Sequence, residues 1–336
     1  MLAGATTGLL DVKKGWMAMQ VRTAVSCPVD VKRFRVAQVA GMFGLSLSAS
    51  VGQSYEVELP ELSEPWRLGL IVGPSASGKS TVAQAAYGDA VYRPGCWPED
   101  RAVIDAFADE VPTRAIVEMF TAVGFSSPPA WLRPYGVLSG GEQFRCDLAR
   151  ALLVGNGTCE SQDAGELPVV VFDEYTSVVD RTVAGTASLA IAKAIRSGKA
   201  NRRLVAVTCH DDVAAWLQPD WTLDMATGEL SRRRLRRPEL CLEIVRCRSA
   251  AWTLFAPHHY LSGELNWGAR CYLGLLNGRP AAFCGLLANP AQRNTWRVSR
   301  IVVLPDFQGI GVGGRFLAGV AELYASQSCR VTITTS

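Results

Sequence analysis

A glycine-rich segment between an apolar run and a helical pattern constrains this chain more than any other feature. Residues 67–72, RLGLIV, form a short apolar run typical of a buried strand. The segment 73–80, GPSASGKS, follows it and fits the pattern G-x-x-x-x-G-K-[ST], and residues 81–86 are predicted to begin a helix. In such a loop the glycines let main-chain amides converge on phosphate oxygens at the positive end of a helix. A strand, a phosphate-binding loop and a helix in this order indicate an α/β fold.

Two side chains of this loop have roles that the pattern predicts. Lys79 would reach the β- and γ-phosphates of a nucleotide, and the Ser80 hydroxyl would bind Mg²⁺. The alternative is a glycine-rich turn without a ligand. The apolar run before the loop and the helical pattern after it disfavour that alternative.

Length and composition limit the remaining classes. The chain has 336 residues, which suggests two domains at the usual ~100–200 residues each. With 49% hydrophobic and 19% charged residues it is not a disordered chain, and its net charge of +3 gives no general argument for binding nucleic acid or a membrane. No stretch approaches the ~20 uninterrupted apolar residues of a membrane span. The first residues do not resemble a secretory signal, so a cytoplasmic location is expected.

The ten cysteines include no C-x-x-C pair and have irregular spacing. In a chain of this kind they are expected to be reduced and mostly buried thiols. A zinc site is a minor alternative, since the spacing of its candidates matches no common zinc template. Those candidates are Cys241, Cys247, His258 and His259.

A second apolar run, residues 168–172, ends in two acidic residues, Asp173 and Glu174. An acid at the end of a strand can support Mg²⁺ through water, and a following glutamate can polarise an attacking water molecule. Two solvated acids at a strand end are the alternative for this pair taken alone.

Three further motifs surround this pair. LSGGEQ at 138–143 opens a predicted helix over 144–153, SVVD occupies 177–180, and a third apolar run, 203–210, ends in His210. In this order, with the phosphate loop, they resemble the ATP-binding cassette (ABC) ATPases, a P-loop NTPase family, over roughly residues 30–230.

The resemblance implies a role for each motif. Lys79, Glu174 and His210 are the implied catalytic residues, and Ser80 and Asp173 the implied Mg²⁺ residues. The implied ATP contacts are Gly73, Pro74, Ser75, Ala76, Ser77, Gly78, Lys79, Ser80 and Thr81 of the Walker A loop, Ser139, Gly140 and Gly141 of the signature motif, and Asp180 of the D-loop. In this family each ATP lies between the Walker A loop of one copy and the signature of another, so a head-to-tail homodimer is the expected active form.

The segment between the Walker A loop and the signature departs from the family. Only 60 positions separate Lys79 from Ser139, and no glutamine occurs where the family has its Q-loop. Glu99 or Asp100 could replace that contact, although a solvated turn is the preferred interpretation. An amphipathic helix is predicted over 105–123. A reduced helical subdomain disfavours a membrane-transporter partner.

An aromatic side chain upstream of the Walker A loop usually stacks on adenine in this family. Phe34, Phe43 and Tyr55 are the candidates, and Phe34, in a predicted strand over 31–39, is slightly preferred. A core role is at least as compatible with each of them.

A run of arginines follows a predicted hairpin over 221–230. A solvated linker is the preferred interpretation, and phosphate contacts to nucleic acid or to a cofactor are the alternative. Its arginines are Arg232, Arg233, Arg234, Arg236 and Arg237. The run suggests boundaries for an N-terminal extension at 1–28, an ATPase domain at 29–230, a linker at 231–238 and a second domain at 239–336.

The second domain has a different pattern. A strand over 239–246, helical pieces over 249–255 and 261–265, and a hairpin of 270–276 with 281–288 precede a strand over 295–304. The segment QGIGVGG at 308–314 then leads into a predicted helix over 315–326. A glycine-rich turn without a ligand is the alternative.

This arrangement resembles the acyl-CoA site of the GNAT acetyltransferase superfamily, an α+β fold. The implied acyl-CoA contacts are Gln308, Gly309, Ile310, Gly311, Val312, Gly313 and Gly314. The resemblance gives no catalytic residue, and the final helix and strands of the fold are expected to be missing. His258, His259 and Glu264 are candidate substrate-side groups, with burial or structural hydrogen bonding as the favoured alternative.

Together the halves resemble ABC-type ATPases fused to a predicted acetyltransferase domain. The leading hypothesis is a dimeric ATPase whose GNAT-like domain binds acetyl-CoA. One alternative is an N-acetyltransferase that acts on nucleic acid, tRNA or protein after ATP-driven remodelling of the substrate. Another is an ATPase with a non-catalytic partner-binding module.

Overall fold

The computed structural model describes residues 18–46, 48, 50–94, 97–154, 167–232, 240–259 and 264–333. Within these residues there are three sheets, of two, six and five strands, with helices packed against them. The predicted α/β class is confirmed. The predicted domain boundaries remain proposals.

A six-stranded sheet forms the centre of the first part. Its strands are β3 (Leu68–Val72), β4 (Val91–Tyr92), β5 (Val169–Phe172), β6 (Arg203–Thr208), β7 (Trp221–Asp224) and β8 (Glu229–Ser231). They lie in the order β4-β5-β6-β3-β7-β8, and all neighbours are parallel except β7 and β8. The residues that follow β3, β5 and β6 therefore lie at one edge of the sheet.

Seven helices accompany this sheet in the described part of the chain. They are α1 (Phe34–Phe43), α2 (Lys79–Tyr87), α3 (Thr113–Ala122), α4 (Pro128–Trp131), α5 (Gly140–Leu153), α6 (Arg181–Arg196) and α7 (Val213–Leu217). Helix α6 is almost entirely buried along its length. Such burial is consistent with an apolar core on both sides of the helix.

A separate antiparallel pair covers one side of the first part. Strands β1 (Ala18–Pro28) and β2 (Ser50–Pro60) pair over eleven residues, from Ala18 opposite Pro60 to Pro28 opposite Ser50. Val21 and Leu59 of this pair are buried in one cluster with Trp221 of the six-stranded sheet. Residues 18–28, assigned by sequence to an extension, thus pack with the phosphate-loop part.

Two secondary-structure elements differ from those predicted from the sequence. The strand predicted over 31–39 is helix α1, since Val36, Val39, Ala40 and Phe43 follow a helical spacing. The helix predicted over 105–123 is confined to α3, with a short 3-10 turn at Val103–Asp105 before it. Pro112 precedes α3 and disfavours a helical conformation at the residue before it.

The five-stranded sheet forms the second part. Its strands are β9 (Leu242–Cys247), β10 (Arg270–Leu276), β11 (Arg279–Ala288), β12 (Thr295–Val303) and β13 (Arg330–Thr332), and its helices are α8 (Trp252–Phe255) and α9 (Val312–Ala325). The neighbours are antiparallel except β12 and β13. Phe316 and Val320 of α9 are buried against this sheet, which fixes the glycine-rich turn at one end of β12.

No helix in the described residues is long and apolar enough to span a bilayer. The helical piece predicted over 261–265 lies largely outside those residues, and residues 264 and 265 are not helical.

Candidate functional site

The phosphate loop joins β3 to α2 in a conformation that depends on glycine. Gly78 has φ of +85° and immediately precedes the helix, where a Cβ would overlap the Tyr55 ring. Ala76 also has positive φ, of +64°. No side chain caps α2, so the amides of its first turn stay available to an external acceptor.

Lys79 folds back across this loop. Its Nζ donates hydrogen bonds to the carbonyl oxygens of Gly73, at 3.0 Å, and Pro74, at 2.7 Å. The ammonium group is therefore held over the concave side of the loop, where phosphate oxygens would be bound by the amides.

The two acids after β5 occupy a strained turn. Glu174 has φ of +51°, and its amide donates to Asp173 Oδ1 at 2.9 Å. The Ser177 hydroxyl donates to Glu174 Oε2 at 2.6 Å. Non-glycine residues in this backbone region cost about 1–3 kcal/mol and are concentrated at functional sites. Glu174 thus lies just beyond the end of β5, at the carboxyl edge of the sheet, with its carboxylate hydrogen-bonded by Ser177.

His210 completes this edge of the sheet. It follows β6, which lies between β5 and β3, and its amide donates to Thr208 Oγ1 at 3.2 Å. The sheet order therefore puts the loop of Lys79, the Asp173–Glu174 pair and His210 at the same edge of the sheet.

The donor set at this edge suits magnesium. Ser80 and Asp173 offer a hydroxyl and a carboxylate oxygen, the hard ligands that Mg²⁺ prefers beside phosphate oxygens. Within the described residues no group of three or more His, Cys, Asp or Glu residues is placed to hold a metal ion, and the four zinc candidates form no such cluster.

The signature residues lie elsewhere, beside the D-loop. Ser139 caps α5 with a reciprocal capping box, in which Glu142 Oε2 accepts from the Ser139 amide at 2.9 Å. Asp180 caps α6 by accepting from the amides of Thr182 and Val183 at 2.7 and 3.1 Å. A Cβ on Gly140 would lie 3.7 Å from the Val178 carbonyl oxygen.

Both helix starts are exposed at Ser139, Gly140 and Asp180. Among the described residues no hydrogen bond joins the signature segment 139–141 to the loop 73–80. Within the described part of one chain, the signature segment therefore lies beside the D-loop. Within that part it makes no hydrogen bond to the phosphate loop of the same chain.

A buried polar network surrounds Asp147 on α5, and sequence reasoning missed it. Asp147 on α5 accepts hydrogen bonds from Tyr92 at 3.2 Å, Trp97 at 2.8 Å and Tyr135 at 2.7 Å. Burial and the Asp147 carboxylate raise the pKa of the Tyr92 phenol. Glu99 and Asp100 are exposed beside this network. An acid at a core-facing position of a predicted helix was the available signal.

The three candidates for the adenine-stacking aromatic residue differ in burial and in position. Tyr55 on β2 is half-buried, with its ring against Gly78, whereas Phe34 and Phe43 are exposed on α1 at 78% and 72%. Tyr55 is therefore the candidate that lies against the phosphate loop.

The glycine-rich turn of the second part also needs glycine. Gly309 and Gly311 have φ of +84° and +88°, and Gly311 directly precedes α9, which has no side-chain cap. The predicted acyl-CoA segment thus has free first-turn amides at Val312 and Gly313.

The Gln308 side chain forms hydrogen bonds to both parts of the chain. Its Oε1 accepts from the Ser126 amide at 2.8 Å, and its Nε2 donates to the Val303 carbonyl at 3.0 Å. A Cβ on Gly309 would lie 2.8 Å from Ala190 Cβ. This glycine turn is therefore packed directly on the first part of the chain.

The remaining candidates are less informative. The ring of His259 lies 5.5 Å from that of Trp252 between centroids. Burial raises the pKa of Asp306, and nearby His258 is one of the groups that oppose this rise. Arg232 pairs with Glu64 at 3.1 Å. Glu264 has no assigned contact among the described residues, and the other arginines of the run lie outside them.

Residues 238–336 match the family described as the acetyltransferase (GNAT) family. The GNAT resemblance predicted for the second part is thereby confirmed. No curated protein matched the chain.

Several solved structures are similar to parts of the chain. A dimeric ATP-binding cassette in a post-hydrolysis state bound to ADP and Pi is 17% identical and covers 54% of this chain and 93% of its own, with a TM-score of 0.38. A bacterial Atm1-family ABC exporter with ATP bound is 20% identical, covering 54% of this chain and 34% of its own, with a TM-score of 0.38. An IAA acetyltransferase from Bacillus cereus is 18% identical and covers 28% of this chain and 66% of its own, with a TM-score of 0.26.

Proposed function

We propose that the chain is an ATPase of the ABC type that hydrolyses ATP in a head-to-tail dimer and carries a domain that binds acyl-CoA. One observation carries the ATPase assignment. The order of the parallel sheet places Lys79 of the phosphate loop, the Asp173–Glu174 pair and His210 at one edge. These are the groups that phosphoryl transfer to water requires, because its catalysis is mainly positioning and charge stabilisation.

Each residue has one task in this proposal. The first-turn amides of α2 and the Lys79 ammonium bind the β- and γ-phosphate oxygens. Ser80 and Asp173 hold Mg²⁺, which neutralises charge on the phosphates. Glu174 orients and polarises the attacking water, and His210 donates a hydrogen bond to the γ-phosphate.

The location of the signature supports the dimer. The start of α5, with Ser139 and the amides of Gly140 and Gly141, is exposed at its first residues. We propose that it binds no phosphate held by its own chain. A second copy, turned head to tail, would present this start to the γ-phosphate held by the first copy.

The hydrolysis assignment is tested with the purified full chain. Phosphate release from Mg·ATP should be measurable for the wild type, and Glu174→Gln should lower it by about 10²–10⁴-fold with ATP binding retained. Lys79→Ala should abolish ATP binding. Equal rates for the wild type and Glu174→Gln would overturn the assignment.

Acyl transfer is the second candidate, and the family match over residues 238–336 favours it. Its direct test is incubation with labelled acetyl-CoA and tRNA, followed by mass spectrometry of the nucleosides. Labelled nucleosides that form with the wild type and are absent with the Gly311→Glu variant would support acyl transfer. Acetyl-CoA binding without any transfer to nucleic acid or protein would favour a partner-binding module.

A further inference from the structure

A cavity of about 360 Å³ lies between the two parts of the chain. Its second-part wall is the glycine turn, from Phe307 to Gly313. Its opposite wall belongs to the first part and includes Lys193 of α6 and Lys199 beyond it. The predicted acyl-CoA turn therefore lies opposite a surface of the ATPase part, across this cavity.

The charges around this cavity have one sign. Two lysines line it, and none of its described lining residues is acidic. Within the described residues neither lysine makes an ion pair. The cavity thus has the electrostatic character of an anion site.

Lys193 is exposed, and its side chain reaches the glycine turn. Its Nζ lies 3.7 Å from the position that a Cβ on Gly311 would occupy. Gly311 directly precedes α9, and the start of a helix bears partial positive charge. The exposed Lys193 ammonium group and the first-turn amides of α9 therefore border the same space, where both would stabilise an anion.

We propose that Lys193, with Lys199 beside it, completes the binding site for the pyrophosphate of acyl-CoA from the ATPase part of the chain. This inference rests on the proposed binding of acyl-CoA by the glycine turn. The turn supplies neutral amide donors, and the lysines supply the positive charge that a pyrophosphate requires. The cofactor site is then shared by both parts of the chain.

The shared site has a consequence for the nucleotide. Helix α6 bears Lys193 near its C-terminal end and is capped at its N-terminal end by Asp180 of the D-loop. A ligand on Lys193 and an ATP held at the dimer interface therefore act on the two ends of one buried helix. Coupling between two binding sites is reciprocal, so acyl-CoA changes the affinity for ATP by the factor by which ATP changes that for acyl-CoA.

The test is isothermal titration of the full chain with CoA, dephospho-CoA and pantetheine. A charge-assisted contact contributes about 1.5–3 kcal/mol, so Lys193→Ala should weaken CoA binding by about 10–100-fold. Lys193→Arg should keep most of the affinity. Dephospho-CoA should lose the same factor as CoA, and pantetheine, which has no pyrophosphate, should be unaffected.

Lys32→Ala is the matched control, because Lys32 is exposed on the first part and away from the cavity. It should leave CoA binding unchanged. Wild-type CoA binding that Gly311→Glu abolishes and Lys193→Ala leaves intact would overturn this inference while the proposed acyl-CoA function stands. A loss for CoA but not for dephospho-CoA would overturn the assignment to the pyrophosphate. No CoA binding by the wild type would overturn the acyl-CoA function and this inference together.

Discussion

Arg145 donates a hydrogen bond through Nη2 to the main-chain carbonyl oxygen of Asp306, across a distance of 3.4 Å. Arg145 lies on α5, directly after the signature residues, and Asp306 lies in the turn that leads into the glycine segment. Desolvation lowers the pKa of the Arg145 guanidinium, which is 1% exposed. The signature helix and the predicted acyl-CoA turn are therefore joined by a buried cation.

This contact predicts communication between the two ligands. In the wild type, saturating ATP should change the CoA dissociation constant about fivefold or more, since coupling energies are typically about 1–3 kcal/mol. Arg145→Met keeps the side-chain volume approximately and removes the hydrogen bond. In this variant ATP should therefore leave the CoA dissociation constant nearly unchanged. Titration of CoA with and without ATP measures it. Arg114→Met, at an exposed helix arginine, should behave as the wild type, and an unaltered ATP effect in Arg145→Met would contradict the prediction.

The Gln308 side chain should stabilise the contact between the two parts. Gln308→Ala leaves the Ser126 amide and the Val303 carbonyl without their partner. An unsatisfied buried group costs about 1–3 kcal/mol, and these groups are partly buried, so the free energy of unfolding should fall by about 1 kcal/mol. Urea denaturation measures the loss. Gln292→Ala, at an exposed glutamine, is the control, and equal midpoints for both variants would show that the Gln308 bonds contribute nothing.

Tyr55 should provide the aromatic surface for the base of the nucleotide. Its ring lies against Gly78 in the phosphate loop. Tyr55→Ala should weaken ATP binding roughly tenfold, which corresponds to about 1.4 kcal/mol, and Tyr55→Phe should retain it. Equilibrium titration with a fluorescent ATP analogue reports both. Phe34→Ala and Phe43→Ala should bind normally, and a loss in either of them with none in Tyr55→Ala would refute this choice.

Much of the fold follows from local sequence. The apolar runs that become β3, β5 and β6, and the Ser139–Glu142 capping box, are local signals that a single sequence contains. Helix α1 is predicted as a strand from the sequence, because Lys32, Arg33 and Arg35 obscure its helical spacing.

The contact between the two parts could not be predicted in this way. Ser126 and Gln308 are 182 residues apart, and no periodicity links them. No sequence motif surrounds Lys193, and its relevance appears only when the fold places it beside Gly311. Asp147 also depends on tertiary packing, since its three donors come from separate segments. Local patterns determine elements, whereas sites assembled from distant segments depend on how those elements pack.

The central claim is that two copies of this chain enclose ATP between the phosphate loop of one and the signature of the other. Sedimentation velocity of the full-length Glu174→Gln variant tests it most directly, because slowed hydrolysis would preserve the ATP-bound state. With Mg·ATP the variant should sediment at twice the mass of one chain, and with Mg·ADP as a single chain. Addition of Ser139→Arg, at the exposed signature helix start, should prevent the dimer. A variant that binds Mg·ATP and remains a single chain at micromolar concentration would contradict the account.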